Sequence, residues 1–111
     1  MTARTVEVLF FEGCPNVDLA LSRVREALAT SGLDGRATIV QTNVRTTEDA
    51  QRRRFLGSPS VRVDGRDVEP AASTRADFGI QCRVYPTERG MDHAPSAVLI
   101  ATALTGATTA E

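Results

Sequence analysis

The chain has 111 residues, 41% of them hydrophobic and 24% charged, with a formal net charge of −1. That length suits one folded domain and leaves no room for two, so residues 1–111 are expected to form a single unit. The balanced composition argues against a disordered tail, and the near-neutral charge offers nothing to nucleic acid or an anionic membrane surface. No apolar run approaches the roughly 20 residues of a membrane span, and the opening MTARTVEVLFFEGC lacks the pattern of a signal peptide. A cytoplasmic location is the resulting expectation, in which two cysteines stay as thiols or cycle during turnover.

Residues 5–11, TVEVLFF, alternate and then turn fully apolar, which predicts a strand buried on both faces. From Pro15 onward Val17, Ala20, Leu21, Val24, Ala27 and Leu28 recur at helical steps, and Ser31-Gly32 supplies the stop. A second strand is predicted at about 36–42. Thr46 with Asp49 three residues later resembles a capping box that opens a short helix running to about Phe55. Val61 and Val63 alternate with Arg62, and Asp64-Gly65 is a dipeptide favoured in two-residue hairpins, so strands at 60–63 and 66–69 should pair. Pro95 opens a last helix to about Gly106, followed by a tail, ATTAE, expected to fray. The order is β-α-β-α-β-β-α, an α/β fold.

Between Pro70 and Ala94 the pattern is irregular, and a connection of that length is usually functional or disordered. The apolar IQCRVYP within it, which holds Cys82, argues for a loop folded back onto the domain. Cys82 flanked by Ile80 and Val84 has a plain reading as a buried apolar side chain.

Cys14 directly precedes Pro15, a residue suited to a first helical turn because it needs no amide donor. A helix starting there would aim its unpaired amides and dipole at the sulfur and favour thiolate over thiol. The bland alternative is a small residue filling a strand–helix corner. Glu12 and Asp18 flank it and read as surface charge. His93 is the only histidine, and Arg52-Arg53-Arg54 reads as a solvated face. No residue set has metal-ligand spacing, and no phosphate loop or nucleophile elbow is present. No cofactor is expected.

The element order, with GCPN before the first helix and GSPS before the third strand, resembles the thioredoxin fold. That resemblance implies Cys14 as nucleophile and Pro59 as a cis-proline facing it, with Pro15, Asn16, Ser58 and Pro59 lining the substrate edge. The second cysteine of a redox pair would fall at position 17, where Val17 stands. LFFEGCPN, FLGSPSVRVDGRD and CRVYPTERG together resemble small bacterial thioredoxin-like proteins, often labelled thioredoxin family protein or alkylmercury lyase, over about residues 5–104. In that group the CPN and C-R-x-Y cysteines correspond to Cys14 and Cys82, which makes Cys82 a candidate resolving thiol. The implied activity is thiol-dependent chemistry on a disulfide or another small electrophile. Alternatives are a non-redox binding or biosynthetic tailoring protein, and an organomercurial lyase.

Overall fold

The computed structural model of the chain describes residues 4–106, and the 107–111 tail expected to fray lies outside them. Its elements are β1 (Arg4–Phe10), α1 (Val17–Thr30), β2 (Ala37–Asn43), α2 (Thr47–Arg53), β3 (Ser60–Val63), β4 (Arg66–Asp67), a 3-10 turn (Pro70–Thr74), β5 (Tyr85–Thr87), β6 (Gly90–Asp92) and α3 (Ala97–Thr105). Four strands form a mixed sheet in the order β2-β1-β3-β4, with β5 and β6 as a separate hairpin. β1 runs parallel to β2 and antiparallel to β3.

Alternation along β1 divides the core. Val6 and Val8 pair with Val63 and Val61, and all four pack against Leu21, Val24 and Leu28 of α1 and Ile100 and Leu104 of α3. Leu9 points to the opposite face, where α2 and its flanks cover it with Val44, Ala50 and Phe55. α2 is only seven residues long and shields that end alone. Thr5 is therefore exposed and Glu7 half-buried, the latter accepting a 2.6 Å hydrogen bond from the Thr42 hydroxyl. This corrects the expectation that β1 is buried on both faces: an apolar run gives burial only where a partner element is long enough to supply it.

The local signals act as their chemistry requires. The Thr46 hydroxyl accepts from the Asp49 amide at 3.0 Å, which caps α2, and Ser96 accepts from Leu99 at 3.1 Å to cap α3. Asp64 and Gly65 both have positive φ, 51° and 87°, which closes the β3–β4 hairpin with a twist that matches its strands. β4 ends at Asp67, earlier than its predicted limit of 69. The stretch expected to be irregular contains the 3-10 turn and the β5–β6 hairpin. Arg23 on α1 fastens the end of that hairpin, donating to Asp92 at 2.8 Å and to the Ala94 carbonyl at 3.0 Å.

Candidate thiol site

β1 ends at Phe10, and residues 11–16 reverse the chain toward α1. Gly13, at φ 91°, permits the reversal, and the Cys14 amide donates to the Phe11 carbonyl at 3.2 Å. α1 begins at Val17, so Asn16 is its N-cap and Cys14 lies two residues ahead of the cap. The helix thus starts later than Pro15, because the turn holds residues 15 and 16 out of helical geometry. Asn16 makes no side-chain capping bond, which leaves the first amides of α1 without that competitor. Cys14 is half-buried, Pro15 is exposed, and Asn16 is half-buried.

The second wall comes from the segment entering β3. Leu9 of β1 pairs with Ser60, so Ser58 and Pro59 lie at the sheet end from which the Cys14 turn departs. The Ser58–Pro59 peptide is cis, as the resemblance implied. Ser58 forms a parallel bridge with Cys82: its amide donates to the Gln81 carbonyl at 2.8 Å, and the Arg83 amide donates back to Ser58 at 3.0 Å. Gly57 makes this approach possible. At its φ of 128°, an added Cβ would lie 3.0 Å from the Gln81 oxygen and 3.1 Å from the Arg83 Cβ. Both cysteines are free thiols, and Cys82 is exposed.

The register of that bridge inverts the pattern suggested by IQCRVYP. Ile80 and Val84 are 40% and 47% exposed, whereas Arg83 and Tyr85 are 3% and 0% exposed. The reading of Cys82 as a buried apolar side chain is thereby corrected, since period-two alternation turns it out with Ile80 and Val84. Arg83 donates to both Asp67 oxygens at 2.7 and 2.9 Å, to Glu69 at 3.0 Å and to the Ser60 hydroxyl at 2.9 Å. Its guanidinium also stacks 4.4 Å from the centre of the Tyr85 ring. The Tyr85 hydroxyl donates to the Pro59 carbonyl at 2.6 Å. Burial, opposed by the nearby guanidinium, pushes the Tyr85 phenol well above its ordinary range.

Sequence reasoning singled out Cys82 in this motif and missed Arg83 and Tyr85. The available signal was the alternation of R and Y two residues apart, paired with the D-x-E of Asp67 and Glu69. Among the other candidates, His93, Glu12 and Asp18 are exposed. Arg52 and Arg53 bond Asp49, and Arg54 lies over the Phe78 ring.

A cleft of about 330 Å³ lies beside the Cys14 turn, lined by Phe11 and Glu12, by Asn43 to Arg45, and by Ile80. Neither cysteine lines it. Asn43 Oδ1 and Ser58 Oγ have no hydrogen-bond partner among the described residues. Comparison with protein-family models, curated proteins and solved structures gives no match.

Proposed function

We propose that this chain is a thiol-dependent protein on a thioredoxin-like fold, with Cys14 as the nucleophile. The observation that carries the reading is the strand register. The Leu9–Ser60 pair and the Ser58–Cys82 bridge gather the Cys14 turn, the Ser58–Pro59 peptide and Cys82 at one end of the sheet. The β2-β1-β3-β4 order and the cis peptide before β3 support the same fold assignment.

In the proposed reaction the Cys14 thiolate attacks one sulfur of a substrate disulfide. A Cys14–substrate mixed disulfide forms, and the other substrate sulfur leaves as a thiolate that takes a proton from solvent. The Cys82 thiolate then attacks Cys14 Sγ and releases the second substrate thiol. The substrate gains two electrons, and the protein is left with a Cys14–Cys82 disulfide. An external thiol must reduce it for another turnover. The final step requires the two Cα atoms to come within about 7 Å. Of the substrate edge that the resemblance implies, Pro15 is exposed and Asn16 half-buried, whereas Ser58 and Pro59 are buried behind it.

Trapping of the mixed disulfide tests this reading. With oxidised glutathione, Cys82→Ser should accumulate a mixed disulfide at Cys14, whereas the wild type should release both thiols and form the internal disulfide. Absence of any mixed disulfide at Cys14 in Cys82→Ser would overturn the assignment.

A binding or tailoring protein is the second reading, favoured by Val17 at the position where the resemblance calls for a resolving cysteine. Unaltered biological activity of Cys14→Ser would select it. An organomercurial lyase would need a proton donor beside the sulfurs, and the two carboxylates nearest Cys14 in sequence, Glu12 and Asp18, are exposed.

A further inference from the structure

A cavity of about 800 Å³ opens between the end of α2, the β3–β4 hairpin and the 70–78 segment, and five arginines reach it. Neither cysteine nor Pro59 lines it, so what it binds is independent of the thiol reading. Its acidic residues are already engaged: Asp64 by Arg4, and Asp67 and Glu69 by Arg83. Arg53 is held by Asp49. Arg54, Arg62 and Arg66 have no carboxylate partner among the described residues, and the first two stand on the α2 side of the cavity.

These two guanidiniums are positioned by different means. Arg62 stands on the incompletely covered face of β3, and its Nη2 donates to the carbonyls of Arg53 and Arg54 at 2.6 and 3.2 Å. That anchor uses the negative end of α2 and leaves Nη1 and Nε available. Arg54 is the C-cap of α2 at φ 56°, ψ 44°, left-handed backbone in which glycine is the easier residue. Its guanidinium lies 5.0 Å from the centre of the Phe78 ring. Arg66 is opposite Val63 in the register, so it reaches the rim from the other face of the sheet. Leu56, Ala72 and Phe78 give the cavity an apolar wall beside the charge.

We propose that this groove binds a small organic oxyanion, with Arg54 and Arg62 taking the anionic head and the Leu56–Ala72–Phe78 wall taking an attached apolar body. Arginine forks suit planar carboxylate and phosphate oxygens alike. Arg54 and Arg62, uncompensated beside apolar surface, are what such a ligand neutralises, with Arg66 at the rim.

The test titrates the ¹⁵N-labelled full chain with octyl phosphate, octanoate and neutral 1-octanol, following amide shifts. Either anion should bind saturably, with shifts at Arg54, Arg62, Ala72 and Phe78, and should weaken as salt is raised. Octanol should bind at least about tenfold more weakly. Binding confined to octyl phosphate would make the head a phosphate, and binding confined to octanoate a carboxylate. Arg62→Gln should weaken the anion about tenfold or more. Arg54→Gly should do the same, and because glycine accepts φ 56° readily its loss of binding cannot be assigned to misfolding. The proposal is overturned if no anion binds in the millimolar range, if octanol binds as well as the anions, or if Arg54→Gly leaves affinity unchanged.

Discussion

The hydroxyl of Tyr85 donates a 2.6 Å hydrogen bond to the carbonyl of Pro59, 26 positions earlier in the chain, and both residues are fully buried. This bond ties the β5–β6 hairpin to the segment that carries the cis peptide. It thereby holds Cys82, three residues before Tyr85, against Ser58.

Tyr85→Phe keeps the ring under Arg83 and leaves the Pro59 carbonyl buried without its donor. Urea unfolding should show a loss of about 1–3 kcal/mol. The pH dependence offers a second signature. Burial raises the Tyr85 phenol above its unfolded value of 10.0. The stability it contributes is complete below that pH and is lost as pH rises from there toward the folded value. Wild-type stability should therefore decline above pH 10, and Tyr85→Phe should flatten that limb.

Arg83 has a side chain only 1% exposed and neutralises two carboxylates that are themselves mostly covered, at 15% and 17% exposure. Arg83→Met would strand Asp67 and Glu69, at a cost of about 3 kcal/mol or more. Arg83→Lys should recover only part of that loss, because an ammonium cannot reproduce the fork on Asp67. Hydrogen exchange at the Ser58 and Arg83 amides should accelerate in both variants, since those bonds join the segment to the sheet end. Unchanged protection in Arg83→Met would show that the network does not hold the segment.

Gly57→Ala tests the close approach directly. The new Cβ meets two backbone oxygens and the Arg83 Cβ at 3.0–3.2 Å, at a φ that L residues rarely adopt. Residues 81–83 must move away, so stability should fall by about 1–3 kcal/mol. Cys82 alkylation should change with it while Cys14 alkylation does not. Equal rates at Cys82 in both proteins would contradict the packing described.

Asp64 is held below the usual carboxylate range by the Thr5 amide and then by the Arg4 guanidinium. Its folded pKa is depressed, so its contribution is present above the ordinary value of 3.8 and disappears as pH falls through the lower folded value. Asp64→Asn keeps an acceptor for Thr5 and tolerates positive φ. Its unfolding free energy should fall less steeply than that of the wild type between about pH 4 and 2.

The sequence by itself determined those elements whose signals are local. The apolar stripe of α1, the Thr46 box, the Asp64-Gly65 turn and the Gly106 stop depend on residues within a few positions of one another. Each formed where that chemistry placed it, to within two residues at most ends. The tertiary structure decided the rest. α1 starts at Val17 because the 11–16 turn takes Pro15 and Asn16 for itself. β1 is half open on one face because α2 is short. Above all, the side of the 80–85 segment facing inward depends on its register against Ser58, and a slip of one residue would have buried Ile80, Cys82 and Val84 instead. The partners that settle that register, Ser58, Pro59, Asp67 and Glu69, lie 14 to 26 positions away from the residues they hold. Local periodicity carries no information at that range, so a segment that looks apolar in sequence buries its arginine and tyrosine and presents its cysteine to solvent.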